Sequence, residues 1–233
     1  MTIHDQLIQN LNQIQAEILA ACDRAGRTAD DVRLIAVTKY AEWPWVESLR
    51  LLHQTFGENR PQQLAERQAL LPEIEWHLIG QLQRNKVKQA LQHATVIHSI
   101  DSLRLLQRVA HVATELQLRP QVLIEVNLSQ ESSKSGFSVE ELRRTWSEIA
   151  HLSTAVQLDG FMTMAAESAD PDAARPTFRL LRVLRDELQH TVASRNAGLE
   201  LRELSMGMSG DFVPAVEEGA TMVRIGSRIF AGL

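Results

Sequence analysis

The stretch Leu34-Ile35-Ala36-Val37-Thr38-Lys39 (LIAVTK) reads as a strand whose two faces stay apolar until its last two residues. Side chains alternate along a strand, so Ile35, Val37 and Lys39 share one face while Leu34, Ala36 and Thr38 share the other. Burial on both faces is how a parallel sheet covered by helices reads. Working outward, further strand candidates lie at 54–57, 76–80, 95–100, 121–127, 157–163, 202–206 and 222–226. Helical patterns run between them. Examples are Leu103, Leu106, Val109, Ala110, Ala113 and Leu116, and then Phe178, Leu181, Leu184 and Leu188 after the Asp170-Pro171 start signal. Ahead of the first strand, Leu7, Ile8, Leu11, Ile14, Ile18 and Cys22 fall at helical spacing, with Gly26 as the stop. Eight strands separated by helices predict βαβ units with right-handed crossovers, which close into a TIM-type (β/α)8 barrel with an extra N-terminal helix. At 233 residues the barrel's loops must be lean. An open doubly wound sheet is the alternative, but its GxGxxG fingerprint is absent after the first strand. The expectation is one barrel domain over residues 1–233, without repeats, low-complexity tracts or linkers.

Lys39 stands at the carboxyl end of the deciding strand, where a cation is costly to bury unless something neutralises or uses it. Desolvation makes a lysine amine a nucleophile toward aldehydes. A lysine snorkelling from a strand end is the plainer reading. The far end of the chain adds weight to the first. In MVRIGSRIFAGL (222–233), Met222, Arg224 and Gly226 share a face, so an arginine falls inside a strand with no carboxylate close in sequence. Gly226-Ser227 then offers backbone N–H groups and a hydroxyl. Upstream, LSMGMSGDF (204–212) runs from a strand into Ser209-Gly210-Asp211, which reads as a helix N-terminus of the kind that binds phosphate. Each glycine–serine pair alone is an ordinary turn. Two of them at the ends of consecutive strands suggest a phosphate pocket.

Composition narrows the function classes. A net charge of −5 and a pI near 5.9 argue against a broad nucleic-acid-binding face. The single cysteine, Cys22, excludes an internal disulfide and a multi-cysteine metal site, and fits a reducing compartment. The eight histidines show no HExxH-like spacing. No signal-peptide pattern and no membrane-spanning apolar run occur, so a cytoplasmic protein is expected. No GxSxG or P-loop pattern appears. Trp43, Trp45 and Trp76 read as packing groups, and His77 as a satisfied core histidine. Met162, Met164, Met206 and Met208 read as residues shaping the barrel mouth. The polar loop 127–136 follows the fifth strand. It reads equally as a cover for an anion or as a surface loop.

A phosphate cup late in a barrel, opposite a lysine on the first strand, suggests pyridoxal 5′-phosphate held as a Schiff base. The blocks AVTKY (36–40), FGENR (56–60), WHLIGQLQRNK (76–86), EVNLSQESSKSGF (125–137), GFMTM (160–164), LSMGMSGDF (204–212) and VRIGSRIFAG (223–232) resemble the pyridoxal-phosphate homeostasis protein family. They span nearly the whole chain, in the family's order. The family is similar in fold to the barrel domain of alanine racemase. The resemblance implies pyridoxal phosphate bound through Lys39, its phosphate on Ser209, Gly210, Gly226 and Ser227, its pyridine nitrogen facing Arg224, and Asn59 lining it. It also implies a protein that holds, buffers or delivers the cofactor without robust catalysis. Gln81 departs from the pattern, standing where histidine is expected, and leaves the roles of Gln81, Asn85 and Lys86 open.

Two function classes are thus in competition: a cofactor carrier for vitamin B6 homeostasis, and a pyridoxal-phosphate-dependent amino-acid racemase of low activity. Racemisation needs a second base across the cofactor from the lysine. The one tyrosine, Tyr40, is adjacent to Lys39 and is expected on the other face of the strand. An arginine facing the pyridine nitrogen leaves the ring a weak electron sink. Both points favour the carrier, with pyridoxal-phosphate-dependent apoenzymes or a regulatory protein as partners, no nucleic acid or membrane partner, and a monomeric state.

Overall fold

The structure is a computed structural model that describes residues 2–128 and 135–233. All eight predicted strands form: β1 (Arg33–Val37), β2 (Thr55–Glu58), β3 (Glu75–Leu78), β4 (Val96–Ile100), β5 (Gln121–Glu125), β6 (Gln157–Met162), β7 (Glu203–Met208) and β8 (Met222–Ile225). They are parallel and close into a barrel in sequence order, with β1 pairing β8 through Leu34–Val223 and Ile35–Arg224. Because β1 ends at Val37, Lys39 lies just beyond the strand rather than on it.

Around the barrel run α1 (Ile3–Ala25), α2 (Trp43–Leu49), α3 (Pro61–Leu70), α4 (Val87–His93), α5 (Leu103–Glu115), α6 (Val139–Leu152), α7 (Arg175–Gln189), α8 (Val192–Ala197) and α9 (Phe212–Glu217). Local chemistry explains their limits. Thr2 and Asp5 form a capping box at the start of α1, and Gly26 ends it at φ 65°. Ser102 and Ser138 cap α5 and α6, each hydroxyl oxygen accepting from one first-turn amide, that of Leu105 and that of Glu141, which has no partner within its helix. Helix α1 buries Leu7, Leu11, Ile14 and Ile18. Asn10 of α1 donates to Ile229 O (2.8 Å) and Ala231 O (2.9 Å), and Arg228 pairs with Glu17.

Two cores result. The larger lies between sheet and helices, and includes Trp76, which meets Phe56 edge-on at 5.3 Å and donates to Leu71 O. Trp45 stacks on Phe230. These tryptophans pack, as expected. The smaller core, inside the barrel, holds Ile35, Val96, Leu123, Met162 and Met222 among the described residues. The methionines therefore divide: Met206 belongs to the outer core and Met162 to the inner one, so only the exposed Met164 and Met208 border the mouth. That corrects the expectation of one cluster; alternation along β7 turns Met206 outward. Buried polar groups share this interior, among them His77, His98, Ser205 and Arg224.

Candidate functional site

The carboxyl ends of the strands form the face on which a barrel of this kind builds its sites. Lys39 sits there, half-buried, in a turn closed by the Ala41 amide donating to Thr38 O (2.9 Å). Its Nζ lies 5.0 Å from the centroid of the Tyr40 ring, and Tyr40 is 84% exposed. Strand alternation has lapsed by this point, so Tyr40 is beside Lys39 and not across the strand from it. The tyrosine expectation is corrected accordingly.

A buried clamp fixes this turn from behind. Glu58, at the end of β2, accepts from the Thr38 hydroxyl (2.5 Å) and from Arg67 Nη1 (2.6 Å). Arg67, on α3, also donates to Thr38 O (2.6 Å) and Ala41 O (2.9 Å). Burial pushes the Glu58 carboxyl up, against the lowering effect of Thr38 and Arg67. Its Oε2 is buried without a partner among the described residues. Asn59 follows, half-buried, and its carbonyl oxygen would stand 2.2 Å from a Cβ at Gly80. Only glycine allows β2 and the β3 exit to approach so closely.

The two glycine–serine turns come together. The Gly226 amide donates to Ser209 Oγ at 3.2 Å, joining the turn after β7 to the turn after β8. The expected helix N-terminus starts slightly later, since α9 begins at Phe212 with Asp211 ahead of it. Asp211 accepts from the Met208 amide (2.6 Å), and burial pushes its carboxyl up. Gly210 has open space where a Cβ would stand; at Gly226 a Cβ would come within 3.1 Å of Val37 O. Among the turn and loop hydrogen bonds of the described residues, none is donated by the amides of Gly210 and Ser227. Unoccupied amides around a side-chain-free hollow fit a phosphate ester.

Arg224 lies beneath, donating through Nη1 to Ser205 Oγ (2.6 Å) and through Nη2 to Thr163 O (3.0 Å). Burial pushes its guanidinium down to about 10, offset in part by Asp211 and Glu125, which leaves it charged at neutral pH. Glu125, at the end of β5, accepts from Ser135 (2.6 Å) and is pushed up by burial. The loop reading for 127–136 falls mainly on residues 129–134, which lie outside the described residues. Asn85 and Lys86 belong to a short 3-10 turn entering α4, and Gln81 is exposed at the β3 exit.

Two features escaped the sequence reading: the Glu58–Arg67 clamp, and the partners of His77. The latter was partly detectable. His77 and His98 occupy inward positions of adjacent strands, as their 2.8 Å contact shows, and that pairing could be read once the strand register was known.

A parallel barrel with a lysine at the end of its first strand and a joined pair of glycine–serine turns after its last two defines a class: barrels that present one amine and two joined glycine–serine turns on the same face. The family described as "Alanine racemase, N-terminal domain" matches residues 9–233. A protein of Aquifex aeolicus named "Pyridoxal phosphate homeostasis protein" is 37% identical over 228 residues, covering 95% of this chain and 96% of that protein. The structure of PipY from Synechococcus elongatus PCC7942 with PLP bound is similar with a TM-score of 0.81 at 33% identity, covering 99% of this chain and 100% of that chain. The alanine racemase of Clostridium difficile 630 shares the fold at a TM-score of 0.71 and 16% identity; the match covers 97% of this chain and 56% of the racemase. The chain belongs to the alanine racemase N-terminal domain family, on its pyridoxal phosphate homeostasis branch.

Proposed function

We propose that this chain binds pyridoxal 5′-phosphate and serves vitamin B6 homeostasis as a cytoplasmic, monomeric single-domain carrier or buffer, without turnover of its own. The observation that carries the reading is the bond from the Gly226 amide to Ser209 Oγ, which joins two anion-accepting turns on the face where Lys39 emerges. In this reading Lys39 condenses with the cofactor aldehyde to a Schiff base, releasing water. Ser209, Gly210, Gly226 and Ser227 receive the phosphate, Arg224 faces the pyridine nitrogen, and Asn59 lines the ring. The bound cofactor would supply an electron sink for carbanion chemistry. Arg224 weakens that chemistry, because it stays charged at neutral pH and presents only donors. Tyr40, the single tyrosine, lies beside Lys39 and is largely in solvent, so it supplies no base across the cofactor.

The test is an absorption spectrum with added pyridoxal phosphate, followed by borohydride trapping and peptide mapping. A yellow protein with cofactor trapped on Lys39, and no trapped peptide in Lys39→Ala, is expected. A colourless protein, or trapping on another lysine, overturns the assignment. Incubation with L-amino acids in deuterated water should give only background α-deuteration. Each lost acid–base group typically removes about 10²–10⁴-fold in rate. Lys39-dependent exchange at ordinary enzyme rates would promote the racemase reading.

A further inference from the structure

The interiors of such barrels are filled by layers of branched apolar side chains. Here a line of polar groups crosses the interior instead. Arg224 Nη1 bonds Ser205 Oγ (2.6 Å), Ser205 Oγ bonds His98 Nδ1 (2.8 Å), His98 Nε2 bonds His77 Nδ1 (2.8 Å), and His77 Nε2 bonds Glu75 Oε1 (2.9 Å). Glu75, at the amino-terminal end of β3, also accepts from Arg33 (3.1 Å). The line thus connects the face opposite the candidate site to the arginine inside it.

Its two ends fix its direction. A guanidinium only donates, so Ser205 Oγ accepts from Arg224 and keeps its own proton free to give to His98 Nδ1. His98 then carries its proton on Nε2 and gives it to His77 Nδ1. His77 likewise carries its proton on Nε2 and gives it to Glu75. A carboxylate only accepts, which closes the sequence without an unsatisfied or doubly donated link. Both imidazoles must be neutral for this to hold: a proton added at His77 Nδ1 sets two donors face to face, and one added at His98 Nδ1 reverses its bond with Ser205. Burial lowers the affinity of both rings for a proton, most strongly at His98, and the His77 bond holds Glu75 down as a carboxylate. The charged groups around the line are Arg33, Glu75, Glu203, Glu125, Asp211 and Arg224.

We propose that His77, His98 and Ser205 are positioning residues for Arg224: a one-way hydrogen-bond chain, anchored at Glu75, that sets the rotation of the guanidinium and through it the hold on the cofactor ring. The ring half of this inference rests on the proposed function; the tautomer half does not. Guanidinium rotation matters because Thr163 O and Ser205 occupy one donor on each terminal nitrogen, and so decide which edge remains for a ligand.

The experiment combines imidazole ¹⁵N NMR of the ligand-free protein with cofactor titrations of Ser205→Ala and Ser205→Thr. Expected are two neutral Nε2–H rings at neutral pH, each taking up its proton only below the ordinary histidine value. In Ser205→Ala, His98 should show mixed tautomers and pyridoxal phosphate should bind about tenfold more weakly, the loss expected for one bond to a charged group. Ser205→Thr should restore both. A proton on Nδ1 of either ring at neutral pH overturns the chain. Unchanged affinity in Ser205→Ala, with wild type binding normally, overturns the positioning role. Wild type failing to bind at all overturns the proposed function and with it the ring half, while the NMR result still decides the chain.

Discussion

At Gly226 one missing carbon atom separates two kinds of damage. A Cβ there would stand 3.1 Å from Val37 O and 3.3 Å from Val37 Cβ, so a bulky side chain must push β1 away from β8 as well as fill the hollow. Ser227, by contrast, is exposed and offers a hydroxyl that can be deleted without moving anything. Gly226→Val is therefore expected to abolish retention of pyridoxal phosphate. Ser227→Ala should weaken it by about 1–3 kcal/mol, the range for one hydrogen bond to a charged group. Isothermal titration with pyridoxal and with its phosphate ester checks this, since only the ester should distinguish the variants from wild type. Equal binding of the two ligands by wild type would show that the cup lies elsewhere. Sequence reading reached these residues because glycine and serine at strand exits carry a local signature. It could not reach the Glu58–Arg67 pair, whose two members belong to different elements and are joined only by the fold.

That pair works between elements. It ties β2 and α3 to the turn carrying Lys39, through the Thr38 hydroxyl and the carbonyls of Thr38 and Ala41. Removing one partner leaves the other charge buried, which typically costs about 3–5 kcal/mol, whereas replacing both by apolar groups can be nearly neutral. Arg67→Met is thus expected to destabilise strongly, and Glu58→Met with Arg67→Met to recover much of the loss. Denaturant melts read the stabilities, and hydrogen exchange at residues 38–41 reads the turn; the double variant should exchange faster there even where stability returns. At this scale the sequence was highly legible. All eight strands and the first helix were readable because two-faced apolar runs and 3.6-residue periodicity are local properties. Strand ends were less so: β1 stops at Val37, and although the Thr38 amide still reaches Gly57 O, the Thr38 carbonyl is taken by Arg67 and the Ala41 amide in a turn, and the faces of Lys39 and Tyr40 changed with it. The direction of Met206 was also missed, because inward and outward cannot be told from alternation alone when both faces are apolar.

For the molecule as a whole, acid sensitivity follows from buried imidazoles. His53, His77 and His98 are all held below the ordinary value of 6.5 by burial. The unfolded chain then binds protons that the folded one refuses, so their contribution is full above pH 6.5 and is lost as pH falls through 6.5 toward their folded values. Glu58, Glu125 and Asp211 are raised by burial and act in the opposite sense, favouring the folded state as they protonate. Stability is expected to drop on acidification from neutral pH, and to drop less steeply in His98→Phe, whatever that variant does to the plateau. Chemical melts between about pH 5 and 8 give the slopes; equal slopes would show that His98 is not a buried neutral base. The pairing of Leu34 with Val223 carries a different consequence. Strands from the two ends of the chain form one seam, and Lys39 and Gly226 stand on its opposite lips. Closing so long a loop is slow, and β1 cannot pair with β8 until β8 has been made. A ligand that grips both lips spans that zipper. Occupancy would then govern how often the barrel springs open, making the bound cofactor a latch on unfolding rate.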